Sequence, residues 1–237
     1  MLLIGTGRIK EDELLSLAGK YLSISTKQEP PKFIQAVNDQ REPLLEVAKK
    51  DTEQTHMALA FHAMNRLSPD RYAASILNII LGANMSSRLF HVVRDELALC
   101  YEISSSVRKY EDAGAFVVGA GLDESNLVGA LEVILKELNR IKSEPVPDGE
   151  LERAKEFYKG QLLFTMEDTM SHMLWLGEKL ASKEKELDVE KIMERVASIN
   201  KNDIMRVAGA VFKDESMNLA VIGPVKDEGR LKGALHL

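Results

Sequence analysis

Residues 101–122 read Tyr-Glu-Ile-Ser-Ser-Ser-Val-Arg-Lys-Tyr, then Glu111-Asp112-Ala113, then Gly-Ala-Phe-Val-Val-Gly-Ala-Gly-Leu. Two strand-forming runs separated by three residues leave no room for a crossover helix, so the spacing predicts an antiparallel hairpin of Tyr101–Tyr110 with Gly114–Leu122. The other strands are separated by long helical runs. An adjacent hairpin in that setting points to an α+β fold with an antiparallel or mixed β-sheet and helices packed on one face, rather than to a doubly wound parallel sheet.

Upstream of the hairpin, Thr55–Ala63 alternates around Met57, Leu59, Phe61 and Ala63, the pattern of a strand with one buried face. Ser68-Pro69-Asp70 then starts a helix carrying Tyr72, Ile76, Ile79 and Ile80, and Gly82-Ala83-Asn84 ends it. A second helix is predicted from about Ser86 to Leu97. Downstream, helical spacing predicts Leu127–Ile141, one long helix from about Asp148 to Ala181, Asp188–Ile199 and Lys201–Phe212, before a last strand at Asn218–Ile222.

The chain opens with an expected strand at Met1–Ile4, a turn at Gly5-Thr6-Gly7 and a helix over Lys10–Leu22. From Ser23 to about Lys50 periodicity fades, and Pro30-Pro31 and Pro43 break any helix, which predicts an extended connector. The two ends echo one another. Leu3-Ile4-Gly5 is followed by Lys10-Glu11-Asp12 and leucines, and Val221-Ile222-Gly223 by Lys226-Asp227-Glu228 and Leu231. If each is the closing strand-turn-helix of a large α+β unit, residues 1–23 end one unit, 24–50 connect, and 51–237 form the next. A strand at 1–4 without its own sheet would leave its edges unsatisfied, so the chain reads as part of a longer protein.

A net charge of −6 supplies no excess of cations for nucleic acid. No apolar run approaches the ~18 residues of a membrane span, and no signal-peptide pattern opens the sequence. Cys100, the one cysteine, cannot form an internal disulfide and reads as a buried apolar residue. These features give a cytoplasmic expectation, with periplasmic and organellar locations left open. The five histidines, His56, His62, His91, His172 and His236, lack the i, i+4 spacing of a helical zinc site. His56 and His62 on one strand would stand about 20 Å apart. No nucleophile triad or phosphate loop is present either, so the residues alone write no active site and no metal site.

One set of motifs does stand out: Ser87-Arg88-Leu89-Phe90, Val93-Arg94-Asp95-Glu96, Leu99-Cys100-Tyr101 and Tyr110-Glu111-Asp112-Ala113-Gly114-Ala115-Phe116. Glu53-Gln54-Thr55-His56, Leu81–Phe90 and Glu150-Leu151-Glu152-Arg153-Ala154-Lys155 agree in order. Together they resemble the second, noncatalytic lobe of the pitrilysin-type zinc metallopeptidases, the group of mitochondrial processing peptidase and insulin-degrading enzyme. The resemblance implies two homologous lobes closing around an unfolded peptide, with zinc held by an H-x-x-E-H motif in the first lobe. That motif is absent here, so zinc would belong to the complete enzyme and to a missing N-terminal lobe or catalytic subunit, with a homodimer as a further arrangement.

Within that resemblance Arg94 and Tyr101 match the arginine and tyrosine that the second lobe lends to the substrate cleft, where both can donate to a peptide carbonyl. Arg88 is assigned a structural role, such as a carboxylate pair, and His56 that of a packed or hydrogen-bonded strand histidine. Ala98-Leu99-Cys100-Tyr101 stands where the family usually has Gly-Leu-Ala-Tyr, a change conservative in size. A scaffold or assembly subunit of the same fold is the alternative function.

Overall fold

The computed structural model describes residues 2–22, 33–184 and 186–237. Five strands form one mixed sheet: β1 (Leu44–Lys49), β2 (Thr55–Ala63), β3 (Glu102–Lys109), β4 (Gly114–Leu122) and β5 (Met217–Gly223), in the order β1-β5-β2-β4-β3. Only the β1–β5 pair is parallel. The α+β expectation is met, and the hairpin is β3–β4, with Glu102 opposite Gly121 and Lys109 opposite Gly114.

Alternation decides which face is covered. Met57, Leu59 and Phe61 of β2, Phe116, Val118 and Ala120 of β4, and Met217, Leu219 and Val221 of β5 are all buried on one side. Helices α2 (Arg71–Leu81), α3 (Leu127–Ser143) and α7 (Lys201–Val211) close that side. Phe212, at the end of α7, sets its ring edge-to-face against Phe61 and Phe116, with centroids 5.3 and 5.0 Å away. The opposite face carries small or polar residues, among them Ala58, Ala60, Ser104, Ser106 and Gly119, and stays partly or fully open.

α2 meets the edge strand β3 at Gly82. The Ser105 N–H donates to the Gly82 carbonyl at 2.9 Å and its hydroxyl to Asn78 Oδ1 at 2.7 Å. A Cβ on Gly82 would stand 2.6–2.8 Å from Ser105 atoms, so only glycine permits this approach.

Several expectations need correction. Residues 2–4 form no strand, and Met1 lies outside the described residues. Of the expected connector, 23–32 lie outside the described residues, while 44–49 are β1: Leu45 and Val47 alternate with Glu46, and β5 supplies the backbone partners. The long helix is two, α4 (Asp148–Glu167) and α5 (Thr169–Ala181). Asp168 is extended between them and caps α5, its carboxylate accepting from the Ser171 N–H at 2.7 Å. The Ser171 hydroxyl first, and its N–H second, hold the Asp168 carboxyl below its ordinary pKa. α1 (Glu11–Tyr21), α6 (Val189–Ser198) and α8 (Glu228–Gly233) are the remaining α-helices among the described residues. Among the described residues no helix is long and apolar enough to cross a membrane.

Candidate functional site

The segment between α2 and β3 builds the site. The helix expected from about Ser86 begins at Arg88, and from Phe90 to Glu96 it is wound as a π-helix. The Leu97 N–H reaches back five residues to the Val92 carbonyl at 3.2 Å. Leu89 and Val93 are buried against the core, which anchors one side of this helix and leaves Arg94 exposed on the other. The Arg94 guanidinium stacks on the Phe90 ring, 4.6 Å from its centroid.

Two residues of tight backbone then turn the chain into β3. The Leu99 N–H donates to the Val93 carbonyl at 2.9 Å, and Ala98 has φ +50°. The substitution of alanine for the family's glycine is therefore conservative in size but not in conformation, because a left-handed backbone costs a residue with a Cβ about 1–2 kcal/mol. Cys100 is buried, as expected, and that burial pushes its thiol pKa up, with Arg94 pulling the other way.

Tyr101, just before β3, is half exposed and donates its hydroxyl to Asp123 Oδ2 at 2.8 Å. This hydrogen bond is the main reason the phenol pKa is raised, so the hydroxyl keeps its proton. Arg94 and Tyr101 line the same hollow of about 480 Å³, with Asp95, Asp123 and Asn126. The structure thus brings the two expected residues together. Among the described residues exposed Arg94 forms no salt bridge, and it lines the hollow.

Asp123 and Asn126 escaped the sequence reading. A usable signal existed for Asp123: extending the hairpin register one step beyond Glu102–Gly121 sets Tyr101 opposite Leu122, next to Asp123. The other residues fall elsewhere. Arg88 makes a bidentate pair with Glu150, at 2.8 and 2.7 Å, tying the start of the π-helical segment to the first turn of α4. His62 is hydrogen-bonded, its Nε2 lying 3.0 Å from Gln40 Oε1, whereas His56 is exposed rather than packed.

An α+β lobe that presents an arginine and a tyrosine in one hollow, with no cluster of metal ligands among the described residues, is the class of structure defined here. A family model described as the Peptidase M16 inactive domain matches residues 1–158, and the chain belongs to that family. Among its relatives, an uncharacterized zinc protease of Streptomyces coelicolor is 32% identical over 184 residues, covering 78% of this chain and 40% of the relative. The uncharacterized zinc protease YmxG of Bacillus subtilis is 35% identical over 178 residues, covering 74% of this chain and 43% of the relative. A solved protease structure from Helicobacter pylori superposes with a TM-score of 0.82 at 19% identity, over 92% of this chain and 54% of that one, a likeness of fold. The chain spans about half the length of the relatives it matches.

The residues present do not fit the zinc that these names imply. Among the described residues no three His, Cys, Asp or Glu side chains converge to hold a metal ion.

Proposed function

We propose that this chain is the noncatalytic half of a zinc-dependent endopeptidase and forms the wall of a peptide-binding cleft facing a catalytic N-terminal lobe or subunit. The observation that carries the reading is the shared hollow of Arg94 and Tyr101 in a chain of the Peptidase M16 inactive domain family. In this reading residues 1–23 close the preceding lobe and the following stretch connects the two, with zinc held outside this chain.

The chemistry assigned to this half is binding and orientation. Stacking on Phe90 holds the Arg94 guanidinium without neutralising it, so its N–H groups are free to donate to the carbonyls of an extended peptide. The Tyr101 hydroxyl already donates a hydrogen bond to Asp123, so its oxygen can accept a peptide N–H, and it donates to a carbonyl only by releasing Asp123. Fixing an unfolded peptide in one pose is the source of the rate gain this half supplies.

Cleavage of a quenched, unstructured peptide by this chain alone, by the catalytic partner alone and by the mixture tests the reading. Zinc-dependent cleavage is expected in the mixture. There Arg94→Ala lowers kcat/KM by about 10- to 100-fold and Tyr101→Phe by a smaller factor. Unchanged kinetics in both variants would remove the assigned roles, and a silent mixture would favour a scaffold or assembly subunit.

A further inference from the structure

We propose that the hollow between the start of α2, the end of β3 and the C-terminal half of α5 binds a small divalent oxyanion of the phosphate or sulfate class. It is lined by none of the residues of the Arg94–Tyr101 hollow, encloses about 430 Å³, and gathers Arg66, Arg71, Lys109 and Lys179 against the carboxylates Glu178 and Glu184. Exposed Arg108 adds a further cation at its rim.

The hydrogen bonds here fix the cations without neutralising them. Lys109 Nζ donates to Ser75 Oγ at 2.8 Å and to the Arg71 carbonyl at 3.2 Å, leaving one of its three protons unassigned. Arg71 donates to the Ser68 carbonyl at 3.0 Å and to the Tyr72 hydroxyl at 3.3 Å, while its Nε is buried with no acceptor. Arg66 gives two hydrogen bonds to the Lys109 carbonyl, at 3.0 and 2.7 Å, and its one carboxylate neighbour, Glu178, is largely exposed at 3.4 Å. Lys179 alone has an enclosed counter-charge, Glu184 at 2.8 Å.

Among the described residues, enclosed Arg88 by contrast has the enclosed carboxylate of Glu150 at 2.7 Å. Arg71 and Lys109 have no such partner among the described residues. Two unmatched cations beside the rings of Tyr72, Tyr158 and Trp175 form a positively charged hollow in which an anion can take charge-assisted hydrogen bonds.

The titration of Lys109 reports the same imbalance. Its pKa is lowered from the usual 10.5 to about 8, chiefly by burial, with Glu184 opposing and Arg71, Lys179 and Arg66 adding to the fall. Glu178, Arg108, Tyr110, Tyr72 and Tyr158 are the other titratable or charged groups lining the hollow. A bound dianion favours the protonated lysine, so affinity falls as pH rises through that value.

Isothermal titration with sodium sulfate, at ionic strength held constant with chloride, tests the site, because sulfate stays divalent from pH 7 to 9.5. The full chain is expected to show one saturable site at pH 7 that weakens at least tenfold at pH 9.5. Lys109→Met and, independently, Arg71→Met weaken it at least tenfold at pH 7, with folding verified by circular dichroism. Phenyl phosphate distinguishes the source: tighter binding than sulfate indicates a phosphate group carried on a small molecule, and equal binding indicates the free ion. Absence of saturable heat, or affinity unchanged in either folded variant, overturns the proposal.

Discussion

Val221-Ile222-Gly223 and Leu3-Ile4-Gly5 open the same sequence pattern, yet the first lies inside the sheet between β1 and β2, whereas residues 2–4 have no strand partner among the described residues. The helices that follow differ in the same sense. Leu231 of α8 is fully buried, while α1 buries none of its residues and leaves Leu15 and Tyr21 more than half exposed. The N-terminal copy touches the lobe through Thr6, whose hydroxyl donates to the Thr169 carbonyl at 3.0 Å, and through Ile4, which lies over Gly177. A strand-glycine-helix pattern sets a local tendency. Whether a strand forms depends on a neighbour offering backbone N–H and C=O groups, and on a core that receives the helix.

The comparison can be tested pairwise by urea unfolding. Leu219→Ala, within the buried face of β5, is expected to cost about 3 kcal/mol, and Leu3→Ala, half exposed, less than about 0.5 kcal/mol. Equal losses would break the contrast. The glycines come next. Gly223 has φ +156°, and a Cβ there would lie 2.6 Å from Thr55 Oγ1 and 2.9 Å from Thr55 Cα, so Gly223→Ala is expected to cost about 2 kcal/mol. Gly5→Ala meets only the movable ends of Ile9 and Leu14 and should change the urea midpoint little.

The helix caps give the smallest effect. Asp227 caps α8 by accepting from the Arg230 N–H at 3.0 Å, and Asp227→Ala should cost about 1 kcal/mol. At the matching position of α1, Lys10 provides no side-chain cap, so Lys10→Asp should strengthen that helix by about 0.5–1 kcal/mol. Amide exchange of α1 is the measurement that registers this, because α1 takes no part in the core.

Most of the covered layer was legible because its elements repeat with a clear period and end in marked turns. β2, the β3–β4 hairpin, α3 and α7 lie within a residue or two of where periodicity puts them. β1 was not legible, since its six residues follow Pro43 and take strand form through β5, distant in sequence. The break at Asp168 hid beneath an apolar stripe that keeps helical spacing across it, although Asp168 and Ser171 spell a cap. The π-helical winding left no signature in residue type. Arg94 and Tyr101 were found through resemblance to a family, and only the register of the hairpin could have added Asp123.

The place of β5 in the sheet sets an order of assembly. A ribosome releases β2, β3 and β4 well before β5, and these three can pair as local antiparallel neighbours. Until β5 emerges, β2 presents a bare edge, and β1 lacks its partner strand. The half-made sheet is therefore open to pairing with another nascent chain for as long as translation takes to reach residue 223. Chains stalled or truncated ahead of β5 are the species from which aggregation of this protein should begin.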